Sequence, residues 1–229
     1  MKQLALALSS PPVPAFENFV VGRNAELVAL LHAFASRTAS ERFVYLWGGT
    51  GSGRSHLLGA VARAARAASS AVFEERAPVS AASIEAIDER GTVILDDVEL
   101  LDAQGQIALF GLYNRIRDAQ GGALLASGAT APAGLAVRAD LSTRLGWGLV
   151  YEVQALDDAE KMAAMRAHAA ALGFELGPEV GDYVLRHTRR DLPSLLALVE
   201  RLDRYSLEER RPITVPLVRD VLRNHEDTQ

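Results

Sequence analysis

Eight residues constrain this chain more than any others: Gly48-Gly49-Thr50-Gly51-Ser52-Gly53-Arg54-Ser55 follow the apolar run Phe43-Val44-Tyr45-Leu46-Trp47 and lead into a helical stretch. They fit the G-x-x-x-x-G-K-[S/T] phosphate loop at every fixed position but one. The glycines let the backbone turn sharply around an anion, so that its N–H groups and the following helix N-terminus point at phosphates. Ser55 would set its hydroxyl on Mg2+, and His56 follows at the helix start. Arg54 stands where lysine is usual; its planar fork keeps the charge but not the shape of an ammonium, so binding should survive better than turnover. A glycine-rich turn without a ligand is the plain alternative, and the strand and helix on either side weigh against it.

A second run, Thr92-Val93-Ile94-Leu95-Asp96-Asp97, reads as a buried strand ending in two carboxylates. At the C-terminal edge of a parallel sheet such an end faces the ligand crevice. Asp96 is placed there to hold Mg2+ through water and Asp97 to orient an attacking water.

Strands and helices alternate from Phe43 onward. The expected strands are Phe43–Trp47, Ala71–Glu75, Thr92–Asp97, Ala123–Ser127 and Leu149–Val153, with helices over 55–68, near 83–88 and over 104–119. This α/β alternation predicts parallel crossover units, a sheet flanked by helices on both faces. After Val153 only helices are expected, over 157–171, 178–187, 191–205 and 215–224, with Asp157, Gly177 and Asp191 as start signals. The division predicted is a tail over 1–12, an α/β nucleotide-binding subdomain over 13–154 and a small all-α lid over 155–229. Pro11, Pro12 and Pro14 keep the first fifteen residues out of a helix.

Composition removes several functional classes. With 229 residues, 49% of them hydrophobic and none of them cysteine, the chain can bury a core without staples and has no thiol chemistry. The five histidines are scattered, with no pair at metal-ligand spacing. A formal charge of −5 predicts no broad nucleic-acid footprint, although local basic sites remain open because all but Lys2 and Lys161 of the 24 basic residues are arginine. No apolar run reaches the ~18 residues of a membrane span, and the five-residue run near the N-terminus is shorter than a secretory core of about seven to fifteen. A cytoplasmic protein is therefore expected.

With both motifs placed, the chain resembles the AAA+ ATPases, and within them the nucleotide-binding domain of the initiator DnaA and the short regulators built on it. Phe16–Asn24 resembles the adenine-pocket segment, which implies roles for Val20, Val21 and Asn24. Asp140–Gly148 resembles the arginine-finger segment, and Thr188–Leu192 the lid element called sensor 2. The resemblance implies that Arg144 reaches the γ-phosphate held by a neighbouring subunit, that Arg190, or Arg189 beside it, touches the chain's own nucleotide, and that Ser127 is a polar sensor. An ion pair between Arg144 and Asp140, one turn earlier, is the bland alternative. Trp47 and Trp147 are read as core or loop anchors. Gln3, Leu4, Leu6 and Leu8 resemble the Gln-Leu-x-Leu-Pro-Leu sequence by which such regulators dock on the DNA sliding clamp, with Ala7 in place of proline; alternate leucines of an extended peptide share one side and suit an apolar groove.

With only a short tail before Phe16 and an end at Gln229, neither an N-terminal partner domain nor a helix-turn-helix is expected. The resemblance then implies a regulator that binds ADP or ATP with Mg2+ and has DnaA and the sliding clamp as partners. DNA would be reached through the clamp, and AAA+ neighbours would be DnaA or copies of itself. Two rivals stay open: a self-sufficient ATPase driving remodelling, and a nucleotide-dependent tether that stimulates no hydrolysis.

Overall fold

The computed structural model describes residues 13–68, 70–119 and 121–226. Five parallel strands form one sheet: β1 (Phe43–Trp47), β2 (Val72–Arg76), β3 (Thr92–Asp96), β4 (Ala123–Gly128) and β5 (Leu149–Glu152), in the order β2-β3-β4-β1-β5. The central strands β3 and β4 are buried along their whole length, and β1 for all but its last residue. Strands covered on both faces must be apolar throughout, which is how their sequences read. The edge strands β2 and β5 carry Glu74, Glu75, Arg76 and Glu152, which charge the open edges.

Alternate residues of each strand feed opposite cores. Tyr45, Val93, Leu95 and Leu124 meet α3 (Ala81–Glu85), α4 (Ala103–Ala119) and α5 (Ala139–Leu145), while Val44, Leu46, Ile94 and Leu125 meet α1 (Ala25–Ala35) and α2 (Arg54–Ala67). The last four helices, α6 (Asp158–Leu172), α7 (Pro178–His187), α8 (Leu192–Glu209) and α9 (Val215–Glu226), enclose a third core around Met165, Val184, Leu195, Val199 and Leu217. Among the described residues no helix is long and apolar enough to cross a membrane.

Local signals set the lid boundaries. Asp157 caps α6 in a reciprocal box with Glu160, Gly173 ends that helix in the left-handed region, Pro178 opens α7, and Asp191 accepts a hydrogen bond from the Ser194 N–H at the start of α8. Asp157→Ala should lower stability by about 1 kcal/mol, read from urea denaturation; an unchanged midpoint would mean that the box carries no weight.

Two helices were not anticipated. In α1 the buried residues Leu27, Leu31, Phe34 and Ala35 follow helical spacing, and α5 places Leu141 and Leu145 on one face. The short α3 begins at Ala81 rather than Ser83, because Ser80 caps it, and α8 runs on to Glu209 before Arg210 turns left-handed at φ 51°. Residues 13–15 have no regular structure, and a single 3-10 turn follows over Phe16–Asn18.

Candidate nucleotide site and arginine finger

The sheet register brings the chemistry to one edge. Trp47 pairs with Gly128 and Leu46 with Ser127 across β1 and β4, while Asp96 ends β3 opposite Arg76 of β2. The glycine loop therefore leaves β1 beside the two carboxylates, at the C-terminal edge where such sheets take ligands.

The loop's geometry requires glycine at particular points. Gly53 has φ +102°, and a Cβ there would stand 2.8 Å from the Phe19 ring; one at Gly48 would meet the Ser52 hydroxyl at 2.8 Å and the Val153 carbonyl at 2.9 Å. Gly49 has nothing within 4 Å, so the turn is held tightly at its ends and open along its rim. Inside it, Ser52 Oγ and Arg54 Nη1 are buried without a hydrogen-bond partner. Buried polar atoms without partners are costly, and a phosphate would satisfy both. The cradle and its two unsatisfied donors fit a nucleotide polyphosphate.

Both carboxylates are buried and fully engaged. Asp96, 6% exposed, accepts from the Ser55 hydroxyl on one oxygen and from the Ser127 hydroxyl on the other. Ser127 also accepts the Asp97 N–H at 3.2 Å, so this fully buried serine braces both acids. Asp97 lies in the left-handed region at φ 55°, a strained conformation for a residue with a side chain. Its carboxylate binds Arg54 at 3.2 Å on one oxygen and Arg76 at 2.6 Å on the other. The hydrogen bond to Asp97 is the main reason that the Arg76 guanidinium is held above its ordinary pKa. Ser55 and Asp96 could share a hard cation, and two protein ligands suit Mg2+, which takes its others from water and phosphate.

Residues 13–24 lie across the start of α2. His56 Nε2 is 2.9 Å from the Ala15 carbonyl, and Phe19 packs near the His56 ring. Asn24, 3% exposed, donates its amide to the Val21 and Gln154 carbonyls and accepts the Gln154 N–H at 2.8 Å. This pins Val20, which is partly exposed, and Val21, which is exposed, beside the junction between sheet and lid.

The lid approaches the loop through Asp191: a Cβ on Gly51 would lie 3.7 Å from the Asp191 Cβ. Arg190, next to it, is 61% exposed and points toward Asp158 at 3.9 Å, and Arg189 reaches Asp191 at 3.5 Å. Neither is brought onto the loop. Burial pushes the Asp191 carboxyl up, but hydrogen bonds from Ser194 and the charge of Arg189 outweigh it and hold the group below 3.8. A lowered carboxyl stabilises the fold above its unfolded pKa, and that contribution disappears as pH falls through the folded value. Asp191→Asn keeps the cap but not the charge, so its stability deficit should be present at pH 7 and shrink at an acid pH under the folded value, which itself lies below 3.8. Denaturation midpoints at both pH values test this; a deficit that persists in acid would show that the charge is irrelevant.

Arg144 sits in the last turn of α5. Its guanidinium carbon lies 3.9 Å from the centroid of Trp147, a ring that is 58% exposed, and 5.6 Å from that of Phe110. Asp140 is not its partner; that carboxylate takes Arg138 at 2.8 Å. Among the described residues Arg144 has no ion pair; the residue is half-buried, and its Nη1 is buried without a hydrogen bond.

Similarity to known proteins covers the lid by family model and most of the chain by fold. Residues 158–222 match the family model described as Hda, lid domain. The chain has the fold of DnaA-type AAA+ domains, and its lid is similar to the Hda lid domain. Domain III of the Thermotoga maritima replication initiation protein DnaA superposes with TM-score 0.73 at 20% identity, over 93% of this chain and 97% of that one. AMPPCP-bound DnaA from Aquifex aeolicus gives TM-score 0.73 at 21% identity, over 94% and 70%. A RuvB structure from Thermotoga maritima gives 0.69 at 16%, over 93% and 73%.

Against this AAA+ frame, the structure brings Gly48–Ser55, Asp96, Asp97 and Ser127 together, with Val20, Val21, Asn24 and His56 alongside. Arg144 stands on a separate surface. Gln3, Leu4, Leu6 and Leu8 lie outside the described residues. Arg76 escaped the sequence reading, because nothing in Val-Phe-Glu-Glu-Arg announces that its last side chain crosses to Asp97. The stacking role of Trp147 was missed as well, although its place three residues after Arg144 was a usable signal.

Proposed function

We propose that this protein regulates replication initiation: holding ADP or ATP with Mg2+ and docked on the DNA sliding clamp, it presents Arg144 to ATP bound by DnaA and promotes its hydrolysis. The observation that carries this reading is the Arg144 guanidinium, laid on an exposed indole with no carboxylate among the described residues to neutralise it. A cation kept that way suits a partner's anion better than its own fold, and an arginine supplied in trans stabilises the charge of a transferring phosphoryl group.

In this reading Gly48, Gly49, Thr50, Gly51, Ser52, Gly53 and Arg54 hold the phosphates, Ser55 and Asp96 the Mg2+, and Val20, Val21, Asn24 and His56 border the base. Ser127 senses the phosphates through Asp96 and Asp97, and Arg190 would swing from Asp158 to the nucleotide as the lid closes. Gln3, Leu4, Leu6 and Leu8 contact the clamp. The neighbour across the Arg144 surface is DnaA, although a second copy of this chain would present the same chemistry.

The arrangement of Asp97 favours this over a self-sufficient ATPase. A carboxylate gripped by Arg54 and Arg76 is poorly placed to orient water, so intrinsic turnover should be slow. Hydrolysis of radiolabelled ATP on DnaA, with clamp loaded on DNA, tests the proposal: the intact chain should accelerate it, and a chain lacking residues 1–8 should lose both acceleration and retention on the clamp. Equal performance by the two chains would remove the clamp from the account, and steady ATP turnover without DnaA would favour the rival enzyme.

A further inference from the structure

The lid carries a basic cleft that the nucleotide site does not use. It occupies about 880 Å3 between α7, α8 and α9, and its wall includes Arg189, Arg201, Arg219, Arg223, His187 and Tyr183 and, among the described residues, no carboxylate. In a chain of net charge −5, four arginines around one cleft, with no acid among the described lining residues, make a local positive field. None of Arg201, Arg219 and Arg223 has an ion pair among the described residues; Arg189 meets Asp191 at 3.5 Å on the rim. Arg201 is the innermost, spending one nitrogen on the Val221 carbonyl at 3.0 Å. Burial and the charge of Arg204 lower its pKa, the sign of a cation short of an anion.

The cleft also has a flat face. Tyr183 and His187 stack with centroids 3.9 Å apart and planes at 15°, and the Arg219 guanidinium carbon is 5.3 Å from the Tyr183 centroid. The tyrosine is thus covered by arginine and histidine, and His187 is exposed. Several cations beside an open ring are what a strand with unpaired bases requires: arginines track the backbone and the ring takes a base face. A duplex offers the same phosphates but keeps its bases stacked inside.

We propose that the α7–α8–α9 cleft binds single-stranded nucleic acid, with Arg189, Arg201, Arg219 and Arg223 on its phosphates and His187 stacked on a base. It lies wholly on the lid, so strand binding is independent of the phosphate loop.

The test is fluorescence anisotropy of a labelled fifteen-nucleotide oligo-dT with the full chain, in saturating Mg-ADP so that the phosphate loop is filled. Affinity should fall with salt at a log–log slope of about −2 to −3, since each neutralised single-strand phosphate contributes about −0.7. Arg219→Ala and Arg223→Ala should each flatten that slope by about 0.7, and the double variant should bind at least about tenfold more weakly at low salt. His187→Ala should weaken binding at unchanged slope. All of these should keep the wild-type melting temperature, which is why Arg201, a brace for α9, is left in place. Absence of binding at low salt, or wild-type affinity in the double variant, would overturn the proposal. So would duplex or inorganic polyphosphate competing as well as oligo-dT with His187→Ala neutral, because the cleft would then respond to charge alone.

Discussion

Arg144→Ala should reduce the stimulated hydrolysis of DnaA-bound ATP by about 10³ to 10⁵, the span an arginine finger contributes elsewhere. Among the described residues its guanidinium lies over Trp147 and Phe110 and forms no ion pair, so the substitution should leave the fold and the protein's own nucleotide binding intact. Arg144→Lys should fail nearly as badly, because an ammonium neither forks across two phosphate oxygens nor lies flat on an indole. Trp147→Ala separates positioning from chemistry: with the platform gone, stimulation should fall while Arg144 keeps its charge. The measurement is single-turnover hydrolysis on DnaA, with the melting temperature of each variant as control. Full stimulation by Arg144→Ala would remove this arginine from the account, and absence of stimulation by the wild-type chain would reduce the protein to a tether.

The second large effect belongs to the cradle. At a ligand concentration of 100 times Kd, Mg-ADP should stabilise the wild-type chain by about 2.7 kcal/mol, and a chain of this size gains about 2 to 4 °C per kcal/mol. Gly53→Val should abolish that rise, since its backbone angle of +102° disfavours any side chain and its Cβ would strike Phe19. Gly49→Ala, where the added carbon meets nothing within 4 Å, should leave the melting temperature without ligand unchanged. Thermal scans of the three proteins with and without Mg-ADP give the answer. A rise that persists in Gly53→Val would place the nucleotide elsewhere, and no rise in the wild type would remove the site altogether.

How much of this could be read in advance depended on whether the cause was local. Strands β1, β3 and β4 announce themselves because burial on both faces demands unbroken apolar runs, and the lid helices because Asp157, Pro178 and Asp191 mark their starts. The glycine loop is legible for the same reason: its backbone needs dictate residue types at fixed spacing. What stayed hidden depends on pairing over long sequence separations. Ser127 was expected as a sensor, but its grip on Asp96 and Asp97 follows from β4 lying beside β3. Arg54 was expected on phosphate, and its bond to Asp97 comes from the same adjacency. Arg190 was expected over the nucleotide, yet the cap at Asp191 turns that residue toward the loop and leaves Arg190 with Asp158.

Asn24 holds both the Val21 carbonyl and the backbone of Gln154, the point where the last strand gives way to the helical cap. Earlier in the chain, the Ala15 carbonyl meets His56 at the start of α2. The entrance of the chain and the hinge of its lid therefore share one fulcrum. Any swing of the lid about this point would either carry the segment from Ala15 to Asn24 along or break the hydrogen bonds that Asn24 makes to Gln154.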